Sequence, residues 1–327
     1  MTNLFTPVSP DFFNPAKRTE DPSDQRMGHH IERAPADFEL FCSSLKSGDF
    51  CILGYPDDRG VERNGGRTGA LLGPEIIRKH LYKMTPSYSR KEWPRVVDLG
   101  DLRSWSHDLP LAHEEARKCI AKIRKQGAKI ISLGGGHDWA FPDFVDFAKN
   151  SASKQKKIIN IDAHLDMRPL PKDEKRACHS GTPFRRIIEE NAQTSELSFA
   201  TVGLQKHCNS QDHIEWAHSR RVTTMFLEDM PHNSADAWNL VLDRLELKQS
   251  SSEIGLSIDL DAFAQNVAPG VSAPQVFGLS PSLVSKFLSN YRDQISQLGI
   301  YEYNPNYDRD EQTARLAALL VYKYIQL

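Results

Sequence analysis

The stretch from Ile158 to Asp166, IINIDAHLD, carries Asp162, His164 and Asp166 at alternate positions. The apolar run before them reads as a buried strand. Continued extended backbone would set the three side chains on one face. A loop at the strand's carboxyl end could equally hold them around one point. Two carboxylates and an imidazole facing inward are costly to bury unless a cation meets them, and a divalent metal is the simplest such cation.

Three more apolar runs end in the same way. ISLGGG leads to His137 and Asp138, GLSI to Asp259 and Asp261, and GIY to Glu302. In open parallel sheets, ligands bind beyond the carboxyl ends of the strands. His137, Asp162, His164, Asp166, Asp259 and Asp261 are together more donors than one ion needs. Their four carboxylates amount to a charge of about −4, which calls for two divalent ions. Oxygen-rich ligation with two imidazoles suits Mn2+ better than a structural zinc, which favours cysteine. Two such ions about 3.5–4 Å apart share a water and lower its pKa toward ~7, so the expected chemistry is hydrolysis. Asp138 reads as a hydrogen-bond partner that steadies a metal-binding side chain.

The elements that must position these groups alternate. DFCILGYP, RVVDLGD, AKIISLGGG, KIINIDAH, SFATVGLQ, RVTTMFLE, IGLSIDLD and QLGIYEYNP read as eight strands. Between them lie helical patterns: one opening at Pro74, one over 111–126 with Gly127 just past its end, and others over 235–247 and 281–291. A last helix runs from Asp310. This alternation predicts an α/β fold with a mostly parallel sheet covered on both faces. Residues 1–36 are polar and broken by Pro7, Pro10, Pro15, Pro22 and Pro35, an N-terminal arm that Phe5, Phe12 and Phe13 could pin down. Residues 37–327 show no linker and read as a single domain. The LGGG run at 133–136 lacks the spacing of a dinucleotide-binding loop.

Composition narrows the function. The 327 residues are 39% hydrophobic and 26% charged, with a formal net charge of −2. That balance gives no field directed at nucleic acid or an anionic membrane. The short run Lys154, Lys156, Lys157 reads as a solvated loop face. Five cysteines form no CxxC pair, which fits a reducing compartment. No segment approaches a membrane span or a secretory leader, and the expectation is a cytoplasmic protein acting on a small molecule.

GGGHD (134–138), DAHLD (162–166) and SIDLD (257–261), in this order, resemble the three metal motifs of the ureohydrolases, the superfamily of arginase, agmatinase and formimidoylglutamase. The resemblance spans nearly all of residues 50–327. It implies a three-layer α/β/α sandwich with a mostly parallel eight-stranded sheet and assembly into trimers or hexamers. It also implies one manganese held by His137, Asp162, Asp166 and Asp259, and a second held by Asp162, His164, Asp259 and Asp261.

RNGGRTGALLGP (63–74), LDMRP (165–169), HSGTPFRRI (179–187), APGVSAP (268–274) and YEYNPNYDRDEQTARLAA (301–318) look most like the formimidoylglutamase branch, which splits N-formimidoyl-L-glutamate into glutamate and formamide. A substrate with two carboxylates calls for arginines. Arg168 comes first, then Arg63 and Arg67, which share their loop with glycines that leave room for a structural part as well. The resemblance further implies a proton relay through Asp166, orientation of the amidine by Glu302, and a proton shuttle at His179. The chain departs from arginases and agmatinases at Ala264 and Gln265, where those relatives carry another Asp before Pro. It departs again at Ser180, which separates His179 from GTPF. A ureohydrolase acting on a guanidino compound, and a catalytically silent binding member, remain open at this point.

Overall fold

Alternating apolar residues divide between two cores. On the strand Phe50–Gly54, Phe50 and Ile52 enter one apolar cluster while Cys51 and Leu53 enter the other, as the two-residue period of a strand requires. The computed structural model describes residues 4–13, 23–86, 93–106, 108–150, 155–193, 197–231, 234–247 and 252–326. Among them are ten strands: β1 Phe5–Thr6, β2 Ile31–Arg33, β3 Phe50–Gly54, β4 Val96–Leu102, β5 Lys129–Leu133, β6 Lys156–Ile161, β7 Leu197–Leu204, β8 Thr223–Phe226, β9 Glu253–Asp259 and β10 Ile295–Tyr301. They form one sheet in the order β1-β4-β3-β5-β10-β9-β6-β7-β8, with β2 also paired to β4. Every pairing is parallel except that of β1 with β4.

Strands β3 to β10 are the eight that the sequence pattern predicts. The two additional strands, β1 and β2, come from within residues 1–36. Phe5 is buried beneath Phe38, and Phe12 and Phe13 meet the edge of the Tyr82 ring. Pro15 and Pro22 lie outside the described residues.

Helices cover both faces. Gly73–Leu81, Pro281–Tyr291 and Gln312–Gln326 bury Ile77, Leu81, Leu288, Leu320 and Val321 in one core. Leu109–Lys125, Ala140–Phe144 and Pro183–Glu190 bury Ile120, Ile123, Phe144 and Ile187 in the other. The three-layer α/β/α sandwich is therefore present. Local sequence dictates these helices. Pro74 occupies the first turn of its helix, and Arg78, Lys79 and His80 lie in the last, where they favour the negative end of the helix dipole. Asp108 caps the helix Leu109–Lys125 by accepting the Leu111 N–H, and Gly127 leaves it at φ 76°. No helix among the described residues is long and apolar enough to cross a membrane.

Lys156 and Lys157 do not form a solvated face. Both are buried in β6, where Lys156 pairs with Glu253 and lies 5.4 Å from the centre of the Phe147 ring. Lys154 is outside the described residues. The LGGG glycines serve packing instead. A Cβ on Gly135 would stand 1.9 Å from the Asp57 carbonyl oxygen, so only glycine lets the two loops meet.

A buried ion pair ties the sheet to its helical layer. Arg78, 1% exposed, donates from Nε to Asp98 at 2.7 Å and from Nη1 to Asp101 at 2.5 Å. Tyr82 donates to the same Asp98 carboxylate at 2.5 Å. Arg78→Ala leaves Asp98 buried without its cation and is expected to cost about 3–5 kcal/mol. A lower urea midpoint at unchanged slope would register that loss.

Candidate metal centre

The four strands that carry the proposed donors are neighbours at the middle of the sheet, in the order β5, β10, β9, β6. Parallel pairing sends all four carboxyl ends to the same edge, so His137, Glu302, Asp259 and Asp162 converge. β6 ends at Ile161, and residues 162–166 are therefore a loop folded around a point. Asp166 sits at φ 50° and Glu302 at φ 64°. Non-glycine residues hold such angles only where the surroundings over-determine them, and functional sites are the commonest place.

Two donor sets result, and the atoms within each lie within 4.8 Å of one another. The first is His137, Asp162, Asp166 and Asp259; the second is Asp162, His164 and Asp261. His137 Nδ1 is 2.9 Å from Asp166, 3.0 Å from Asp259 and 3.3 Å from Asp162. His164 Nδ1 is 3.0 Å from Asp261 and 3.6 Å from Asp162. Asp162 thus belongs to both sets. Asp259 is grouped with the first set, and its Oδ1 accepts the Asp261 N–H at 2.8 Å beside the second.

The donors fit a cation. His137 Nδ1 is crowded by three carboxylate oxygens, and Asp261 Oδ1 is buried without a hydrogen-bond partner. Burial, then repulsion from Asp261 and Asp162, pushes the Asp259 carboxyl well above its usual range. Burial likewise raises Asp261 to about 6. Burial lowers His137, but the three carboxylates around it outweigh that and raise it well above an ordinary imidazole. The attraction of Asp261 raises His164 in the same direction. A positive charge at each set relieves both the repulsion and the unpaired lone pairs.

Several positioning groups escaped the sequence reading. Ser257 Oγ lies 2.9 Å from His137 Nε2, which reserves Nδ1 for the cluster. Asn160 Nδ2 donates to Asp162 Oδ2 at 3.0 Å. Each stands two residues before an acid at the end of its strand: Ser257 shares the face of Asp259 on β9, and Asn160 is the next-to-last residue of β6, just before Asp162. Tyr301 stacks on the His137 ring at 5.0 Å, and its hydroxyl donates to the buried Asp143, which also receives Tyr55 at 2.7 Å. No local signal joins these residues, since they come from three separate segments. Asp138 does not steady a metal-binding group as expected. It pairs with the buried His113 at 2.9 Å.

Glu302 is 5% exposed and accepts the His137 backbone N–H at 2.8 Å through Oε1. Burial, with Asp259 adding to it, pushes its carboxyl well up. Arg168 is exposed, and its guanidinium makes no hydrogen bond or ion pair among the described residues. Its backbone N–H donates to the Gly181 carbonyl at 2.9 Å. Arg63 and Arg67 differ. Arg63 Nη1 donates to the Lys175 and Cys178 carbonyls at 2.8 and 3.4 Å. Arg67 grips the Ser272 and Val271 carbonyls at 2.9 and 2.6 Å and lies 3.8 Å over the Tyr307 ring. Its contacts are those of a loop tether. His179 accepts the Gly181 N–H on Nδ1 at 3.2 Å, and burial, with Arg168 nearby, lowers it to about 4. At that value the ring is neutral at pH 7, and the shuttle expected of it would have to work from the neutral form.

These features have a family. The model of the arginase family matches residues 48–326, and the chain belongs to that family. It is 32% identical over 308 residues to the formimidoylglutamase of Klebsiella pneumoniae (strain 342), covering 93% of this chain and 92% of that one. It is 32% identical over 321 residues to the formimidoylglutamase of Legionella pneumophila (strain Lens), covering 97% and 96%. Among solved structures, the crystal structure of Trypanosoma cruzi formiminoglutamase with Mn2+2 superposes with a TM-score of 0.74 at 27% identity, over 88% of this chain and 96% of that one.

Charge crowding makes a measurable expectation. Asp259→Asn removes one anion from the cluster. The metal-free variant should melt about 2–4 °C above the metal-free wild type. Added MnCl2, which should raise the wild-type melting temperature, should leave the variant's nearly unmoved. A thermal melt with EDTA and with MnCl2 checks both.

Proposed function

We propose that the protein is a binuclear manganese hydrolase that converts N-formimidoyl-L-glutamate and water into L-glutamate and formamide. The carrying observation is the pair of donor sets sharing Asp162, in a chain that matches curated formimidoylglutamases over almost its whole length. In this reading residues 37–327 are the catalytic domain and residues 1–36 an arm along its edge. The protein works in the cytoplasm as a homotrimer or homohexamer. Its five cysteines are free and four of them are buried, which suits a reducing compartment.

His137, Asp162, Asp166 and Asp259 would hold one ion, and Asp162, His164 and Asp261 the other. When bound, the pair supplies a hydroxide at neutral pH and positive charge where the substrate's formimidoyl group reacts. The chain's own residues do the rest. Glu302 keeps Oε1 on the His137 N–H, which leaves Oε2 to accept from the formimidoyl nitrogens and aim the carbon at the cluster. Asp166, pinned at its unusual backbone angle, carries a proton to the glutamate nitrogen as the C–N bond breaks, so the amine leaves neutral. Arg168, two residues further on, offers an unoccupied fork for the carboxylate next to that nitrogen. His179, neutral at pH 7, contributes a hydrogen-bonding wall.

The Mn2+-loaded protein should release formamide from N-formimidoyl-L-glutamate and no urea from arginine or agmatine. Urea without formamide would indicate a guanidino substrate. Failure to retain a transition metal after loading would indicate a silent member. Arg168→Ala should raise KM roughly tenfold or more with kcat within a few-fold, as expected for a charge-assisted contact made equally in ground and transition states.

A further inference from the structure

A second group of cations lies beside the centre, and the reaction as proposed leaves it without a task. The loop that leaves Asp166 through Arg168 becomes one wall of a cavity of about 560 Å3, lined by Arg63, Pro169, Leu170, Pro171, Lys175, Arg176 and His179. That volume lies inside the range of about 300–1,000 Å3 typical of small-molecule sites. Its polar lining is basic apart from the neutral His179, and its remaining wall is apolar.

The cations differ in how committed they are. Arg63 uses Nη1 on two loop carbonyls and keeps its other donors. Lys175 shares its charge with Asp108 at 3.2 Å, an exposed pair. Arg176 makes no side-chain hydrogen bond or ion pair among the described residues. Arg176 is solvent-exposed at the rim of this cavity, and its fork has the geometry to take both oxygens of a carboxylate.

Reach agrees with this. Pro169 is three residues from Asp166, at most about 10 Å of chain. In N-formimidoylglutamate the formimidoyl carbon and the distal carboxylate carbon are five bonds apart, roughly 6 Å when extended. Arg168 joins the two regions along the chain, with its stem over Gly181: a Cβ there would be 2.9 Å from Arg168 Cδ. A substrate with its formimidoyl group at the cluster and its near carboxylate on Arg168 would have the length to send its distal carboxylate toward the cavity wall that Pro169 begins.

Building on the proposed activity, we propose that Arg176, with Arg63 and Lys175, forms a distal-carboxylate subsite that selects dicarboxylic amidines over monocarboxylic ones.

The test compares N-formimidoyl-L-glutamate with N-formimidoyl-L-glutamine, which keeps the shape and loses the distal charge. The Mn2+-loaded wild type should favour the glutamate derivative. Arg176→Gln should raise KM for that derivative about tenfold, leave kcat within twofold, and leave KM for the glutamine derivative unchanged. Arg176→Lys should recover part of the loss, and Lys175→Gln should show a smaller effect of the same kind. If KM for the two substrates moves in step in Arg176→Gln, or moves for neither, the subsite is wrong although the activity stands. If the wild type releases formamide from neither substrate, the activity and the subsite fall together.

Discussion

Mutual repulsion among buried carboxylates is the constraint on which the rest of this structure depends. Asp162, Asp166, Asp259 and Asp261 come to one edge of the sheet, where water that would screen them is largely excluded. Unit charges a few ångströms apart interact far more strongly there than in water, and each loses hydration on burial. Two imidazoles cannot neutralise four acids. The fold tolerates the cluster because the pairing of β5, β10, β9 and β6 leaves the strand ends nowhere else to go, and divalent cations turn the repulsion into binding.

Holding such a cluster in register takes a second set of contacts, mostly neutral. Ser257 and Asn160 are short side chains that fix one atom each of a larger neighbour. Beneath them, Asp143 receives hydroxyls from Tyr55 and Tyr301, and the Tyr301 ring lies against His137. Burial pushes the Asp143 carboxyl up to about 6 even with these donors, so the tyrosines are needed to keep it satisfied. The next residue after Tyr301 is Glu302, in its left-handed backbone conformation. One buried carboxylate thereby orients an imidazole face and the turn that carries Glu302, a form of preorganisation.

The centre and its surroundings have opposite charge. The cluster is acidic and draws cations, whereas the loop that leaves it carries Arg168 and opens on Arg63, Lys175 and Arg176. A molecule with a basic amidine at one end and carboxylates at the other is complementary to that gradient along its length. Guanidines without acid groups would meet only half of it. The contrast arises within a few residues of one loop, so a change of substrate in this architecture needs no change in the metal site.

Much of this was legible in the sequence because two periodicities are local. Apolar alternation located the eight main strands, and helical spacing located the layers that cover them. The donors stood out since acids and histidines seldom follow four separate apolar runs by accident. Other features were not legible, each for a physical reason. β1 and β2 are two and three residues long, too short to show a period, and exist because β4 offers them an edge. Lys156 looked solvated until Glu253 from another strand met it. Arg67 reads as a ligand for carboxylate, and backbone carbonyls from residues 272 and 271 hold its Nε and Nη2 in place. His179 reads as a titrating loop histidine, and its burial, which lowers its pKa, comes from residues the local sequence does not show. The sequence by itself determined which atoms have the chemistry to bind metal and that they follow the ends of separate apolar runs. The tertiary structure alone decided which charges meet a partner and which stay open to substrate, because charge pairing and desolvation depend on neighbours that lie far away along the chain.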